Sequence, residues 1–317
     1  MPTIAELNKN VRDIINNPRK RCVLLDDPAS WNMLCSCLDV IGDTELALDA
    51  FLKQGDFGDN GTNYLLIYGV LQALFIQQDA VEDLAEALKA LNVTYTRSEL
   101  LKEIREVRND SIGHPTKRDF PKNNGPSNRM VRMSLSHDRF VLVKNYPDRR
   151  TECLDVDIID LIQKQRANLA ATLTSMADKL KEDDMKHKRQ FEHEKLQDLF
   201  PSTIDYDFEK IYGVCDRNES PEIGATAIKI TFAYLEKFKT ALQTRGILKA
   251  YEFVVDDLDL IEYSLTGLRK FIEGSPDSTL DSKSANIFAF FAREHIDSLL
   301  ETAKEIDKEY ASDELSN

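Results

Sequence analysis

Between Tyr64 and Leu91 the apolar residues Ile67, Tyr68, Leu71, Leu74, Phe75, Val81, Leu84, Leu88 and Leu91 recur at helical spacing. At 3.6 residues per turn they form one broad stripe, wide enough for the core of a bundle. The spacing predicts a long helix over 64–91, bent near Gln77-Gln78-Asp79, and a helix of this kind needs other helices to cover it. The chain is therefore expected to be mainly α. Only 12 Gly and 10 Pro occur in 317 residues, too few for a turn-dense β sandwich or for long disordered stretches.

Other segments repeat the pattern. Ile4, Leu7, Val11 and Ile14 or Ile15 mark an amphipathic helix over 3–17. A second helix runs from Pro28 to about Gln54, followed by Gly55 and the loop GDFGDNGTN. Thr96-Arg-Ser-Glu99 reads as a capping box that starts a helix at about Arg97, with Leu100 or Leu101, Ile104 and Val107 or Arg108 inward. Gly113 and Pro115 end that helix. After a loop over 115–128, RMVRMSLS and RFVLVKN are the expected strands of a small hairpin within 129–146, turning at His137-Asp138. A long helix is expected to open at Asp155–Asp157, with Leu169, Leu173, Met176 and Leu180 along its seam.

The run KEDDMKHKRQFEHEK over 181–195 is charged on all sides and places the domain boundary. An N-terminal domain of residues 1–185 is expected to precede a C-terminal helical domain of residues 195–317. In the latter, one helix opens at Ser220-Pro221 and runs to Gly246. The next carries Val254, Leu258, Ile261, Leu265 and Leu268, and the last Ile287, Phe291, Ile296, Leu299 and Leu300.

The net charge of −14 argues against indiscriminate nucleic-acid binding. The charge is uneven, however. Residues 97–150 hold thirteen Lys/Arg against seven Asp/Glu, a window of +6 in a remainder of −20. One basic segment on an acidic body suits a focused polyanion site; a solvated basic loop is the plainer reading. No run of about 18 consecutive apolar residues is found, and MPTIAELNKNVRDII lacks the apolar core of a secretion signal. The expected location is the cytoplasm, with no membrane contact. Five unpaired cysteines then read as reduced thiols.

The segment EIREVRNDSIGHPTKR (103–118) carries the candidate chemistry. Arg offers a permanently charged fork of donors that matches phosphate oxygens. His titrates near neutrality and can take a proton from a 2′-hydroxyl or return one to a leaving oxygen. On an unbroken helix Arg108 and His114 point about 120° apart. Facing one phosphate requires either unwinding at Gly113 or a second copy of the site across a two-fold axis.

Arg108-Asn109-Asp-Ser-Ile-Gly-His114 resembles the Arg-x(4–6)-His motif of the HEPN superfamily, in which a polar residue, often Asn, follows the Arg. The long helix before the motif helix resembles that family's layout, and the resemblance spans roughly residues 1–180. It implies an HEPN-like helical bundle with a small hairpin insertion, a homodimer with a composite site, and metal-independent RNA cleavage leaving a cyclic phosphate. Catalytic roles carry over to Arg108 as phosphate holder, His114 as acid–base group and Asn109 as the residue that orients one of them. Arg105, Lys117 and Arg118 are the expected substrate contacts; for Arg105 an ion pair with Glu99 or Asp110 is the alternative. Family members in bacterial defence or toxin systems imply such a role. Those paired with a nucleotidyltransferase antitoxin carry a Tyr two residues after the His, where this chain has Thr116.

Nothing points to a cofactor or metal. His187 and His193 lack metal-ligand spacing, Asp256, Asp257 and Asp259 lack the pattern of a calcium loop, and the P-loop, dinucleotide and nucleophile-elbow motifs are absent from the sequence. Trp31 and the Phe288-Phe290-Phe291 cluster read as core or interface. Two functions follow. One is a dimeric ribonuclease whose C-terminal domain is regulatory or binds a protein partner. The other is a non-catalytic module that binds a nucleotide, RNA or protein through the same segment. A pure scaffold is the third.

Overall fold

The structure, a computed structural model, describes residues 2–55, 58–116, 126–147 and 150–311. It is mainly helical, with ten α-helices and one small antiparallel sheet among the described residues. The chain divides into two compact units. The first comprises residues 1–16 and 24–182, the second residues 17–23 and 183–317.

In the first unit, α1 (Ile4–Ile15) starts at a capping box in which Thr3 and Glu6 satisfy each other's backbone N–H groups. α3 (Pro28–Lys53) follows the N-cap Asp27 with Pro at its first position, and α4 (Asn60–Ala87) follows the N-cap Asp59. α5 is Glu99–Arg108, and its N-cap is Ser98 rather than Thr96. Leu34, Leu38, Ile41 and Leu48 of α3 join Ile67, Leu71, Leu74, Val81 and Leu84 of α4 in one core. Ile162, Leu169 and Leu173 of α6 (Ile158–Phe191) complete it. α4 runs through Gln77-Gln78-Asp79 as one continuous helix. Both glutamines are buried in a polar ladder instead. Gln77 donates to Glu45 Oε1 at 2.8 Å, while Gln165 donates to Gln77 Oε1 at 2.9 Å and to the Leu74 carbonyl at 3.0 Å. Gln78 donates to Gln165 Oε1 at 2.8 Å.

The expected hairpin is a three-stranded sheet, β1 (Ser127–Met130), β2 (Arg139–Asn145) and β3 (Glu152–Asp157), in that order. Phe140 pairs with Val156 and Arg129 with Val143. Residues 155–157 thus end a strand, and α6 begins only at Ile158. The strand was hidden because only Val156 of it is buried, leaving no alternation to read.

α4 is also long and apolar enough, by length and composition, to cross a membrane, but half of the qualifying window is buried within the protein. A core helix passes the same test.

The second unit contains α7 (Ile204–Cys215), α8 (Pro221–Thr244), α9 (Glu252–Ile272) and α10 (Ser282–Tyr310). Phe208, Ile211, Phe238, Leu242, Ile261, Leu265 and Ile296 form its core, and the small residues Ala285, Ala289 and Ala292 let α10 approach its neighbours. α2 (Pro18–Leu25) supplies Lys20, wholly buried, whose ammonium lies 3.4 Å from Asp183 and 3.2 Å from Asp184.

Candidate functional site

α5 is short, and two buried side chains, Leu101 and Ile104, fix its inner face. The outer ends of the next turns carry Arg105 and Arg108. Both guanidinium groups lie over the Phe75 ring of α4, at 3.5 Å and 4.1 Å from its centroid. They are compensated differently. Arg105 makes a two-pronged contact with Asp79, at 2.7 Å and 3.3 Å, so its ion pair is with neither Glu99 nor Asp110. Arg108 is held by neutral amides. Its Nε and Nη2 donate to Gln72 Oε1 at 3.2 Å and 2.8 Å, and its Nη1 donates to Asn109 Oδ1 at 3.1 Å. Among the described residues no carboxylate forms an ion pair with Arg108. Burial, followed by the neighbouring Arg105 charge, lowers its pKa.

Beyond Arg108 the helix widens into a single π turn over Asn109–Gly113, closed by the His114 N–H donating to the Asn109 carbonyl at 2.8 Å. Such turns insert a residue into an α-helix and recur at functional sites. The departure from α geometry thus spans five residues, where unwinding at Gly113 alone was one of the two expected routes. The sheet anchors the turn. Asp110 is buried and accepts from Lys144 Nζ at 2.5 Å and Asn128 Nδ2 at 3.1 Å, and the Asn128 N–H donates to the Pro115 carbonyl at 2.6 Å. Gly113 lies under the Arg108 guanidinium: a Cβ there would stand 2.5 Å from Nη1. The residue after it, His114, is exposed.

The structure therefore gathers Arg108, Asn109 and Gly113 at one helix end, with Arg105 one turn earlier and His114 at the tip. Lys117 and Arg118 lie outside the described residues. Sequence reasoning missed Gln72, Phe75 and Asp79, the α4 residues that hold the two arginines, and the Asn128–Lys144 anchor. Gln72, Phe75 and Asp79 share one face of α4 at spacings of three and four, as Arg105 and Arg108 do on α5, so matching the two faces was the available signal.

Among the described residues no cluster of three His, Cys, Asp or Glu side chains could hold a metal ion. The arrangement can bind an anion at a half-buried, directed guanidinium, and an exposed imidazole, His114, follows six residues along the chain. Comparison with family models, with curated proteins and with solved structures finds no match to this chain.

Proposed function

We propose that this chain is an HEPN-type endoribonuclease that works as a cytosolic homodimer without a metal. The observation that carries the reading is the Arg108 guanidinium, half-buried, aimed by Gln72 and Asn109 and left without a carboxylate partner among the described residues. A structural arginine in such a place ordinarily takes a carboxylate, as Arg105 takes Asp79. A guanidinium oriented by neutral acceptors keeps its full charge for a phosphate.

In the reaction, Arg108 binds the non-bridging oxygens of the scissile phosphate and steadies the charge that grows on them. His114 removes the 2′-hydroxyl proton as that oxygen attacks phosphorus. The P–O5′ bond breaks, leaving a 2′,3′-cyclic phosphate and a 5′-hydroxyl, and an imidazolium supplies the proton that the leaving oxygen takes. A two-fold axis brings a second His114 to the cleft, so one imidazole serves as base and the other as acid. Arg105, paired with Asp79, positions Phe75 and hence Arg108. A bacterial defence or toxin role is consistent with this chemistry.

The test is RNA cleavage by wild type, Arg108→Ala and His114→Ala in EDTA, with light scattering on each. Cleavage by the wild-type dimer, lost in both folded variants, is the expected result. A clean wild-type dimer that binds RNA through Arg108 and leaves it intact would replace the ribonuclease with the non-catalytic binding module.

A further inference from the structure

We infer that the surface shared by α9 and α10 docks a basic amphipathic helix of a partner protein. The inference concerns the second unit alone and does not depend on the ribonuclease reading. Six large apolar side chains stand in solvent on these two helices: Phe253 (52% exposed), Leu260 (42%) and Tyr263 (71%) on α9, with Phe290 (60%), Ile287 (58%) and Phe291 (37%) on α10. At 100° per residue the three of α9 lie within an arc of about 80° and Ile287 and Phe291 within about 40°, with Phe290 turned about 100° from Phe291, outside that arc.

The two arcs face the same trough. Tyr263 meets Phe288 at 5.9 Å between ring centroids, and Gly267 lets the helices close, since a Cβ there would stand 3.2 Å from the Phe288 ring. Further along, His295 Nδ1 lies 2.7 Å from Asp257 Oδ1, and Phe291 packs on His295 at 4.2 Å. The helices thus run antiparallel with their exposed apolar residues side by side. Scattered exposed apolar residues are ordinary, but a row on each side of one trough is what a helix-in-groove site presents.

Charge selects the occupant. Between Glu252 and Leu268, α9 has five acidic residues and no basic one. Asp257 is occupied by His295, whereas Asp256, Asp259 and Glu294 form no ion pair among the described residues. At 100° per residue Asp256 falls within the α9 arc, and Asp259 and Glu294 flank the two arcs. All three repel nucleic acid and anionic lipid, and a second copy of this chain would bring the same acids to the contact. A helix with apolar residues at i, i+3 or i+4 and i+7, flanked by Lys or Arg, satisfies both the row and its rim.

The probe is a synthetic helical peptide of about four turns, with leucine at that spacing and lysine elsewhere, titrated calorimetrically into the full chain. A glutamate-for-lysine peptide is the control. Wild type is expected to bind only the lysine peptide. Tyr263→Ala/Ile287→Ala, both exposed and checked by circular dichroism, should weaken binding at least about tenfold through loss of aromatic and aliphatic anchors. Asp256→Lys/Asp259→Lys/Glu294→Lys should reverse the preference between peptides. Absence of binding would overturn the inference, as would equal binding by wild type and the apolar variant. Dissociation of a dimer by Tyr263→Ala/Ile287→Ala would overturn it in favour of a second copy. No RNA is present, so each outcome is independent of cleavage.

Discussion

Replacing Gly113 by alanine tests how the Arg108 guanidinium is held. The new Cβ would lie 2.5 Å from Nη1 and 3.4 Å from Cζ. Ordinary van der Waals contact needs the guanidinium to retreat by about 1 Å, and a misplacement of that size costs roughly 100-fold in a reaction that depends on position. The backbone is not the obstacle, because Gly113 has no positive φ. Alanine instead favours the helical turn by about 1 kcal/mol. The retreat breaks the hydrogen bond to Asn109 Oδ1, worth about 1 kcal/mol. These terms offset, so stability in urea should change by less than about 1 kcal/mol, while kcat/KM for RNA falls roughly 100-fold, equivalent to about 2.7 kcal/mol of barrier. Steady-state cleavage and urea titration of the same preparation separate the two effects. Cleavage within about threefold of wild type, in a folded Gly113→Ala protein, would refute the idea that this glycine sets the position of Arg108.

Four further outcomes are expected. Lys144→Met leaves the buried Asp110 carboxylate with only Asn128 of these two partners, and should cost roughly 3 kcal/mol in urea unfolding. Gln165→Met leaves Gln77 Oε1 without its donor and Gln78 Nε2 without its acceptor, while Gln77 keeps its bond to Glu45, and should destabilise by about 2 kcal/mol; changing Gln78 to an apolar residue as well should recover part of the loss. Asp79→Ala releases Arg105 from its carboxylate, loosens the support of Phe75 and Arg108, and should lower kcat for RNA more than it raises KM. His187 donates to or accepts from Tyr310 at 3.0 Å, and burial, reinforced by the Arg19 charge, pushes its imidazole from 6.5 down to about 4. The unfolded chain therefore binds more protons between these values, so stability falls as pH is lowered from about 6.5 to about 4, and His187→Gln should flatten the melting-temperature profile across that window.

Much of the fold could be read from local pattern. The starts of α3 at Pro28 and of α8 at Pro221 are local signals, as is the helix end at Gly113 and Pro115, because capping and 3.6-residue periodicity involve only near neighbours. The motif residues Arg108, Asn109 and His114 were also visible as a sequence of chemically suitable groups. Where the pattern was silent, tertiary structure decided. α2 has no apolar stripe, and its Lys20 and Arg19 pair with Asp183 and Asp184, more than 160 positions away. β3 exists because β2 supplies its hydrogen-bond ladder, and Gln77 and Gln78 enter the core because Gln165 and Glu45 meet them there. The same holds at the site. Gln72 is 36 residues from the Arg108 it orients, and Lys144 is 34 residues from the Asp110 it anchors. Residue type and spacing establish which groups are available, but a charge that stays free and a charge that is neutralised differ only in what packing brings to within hydrogen-bond distance.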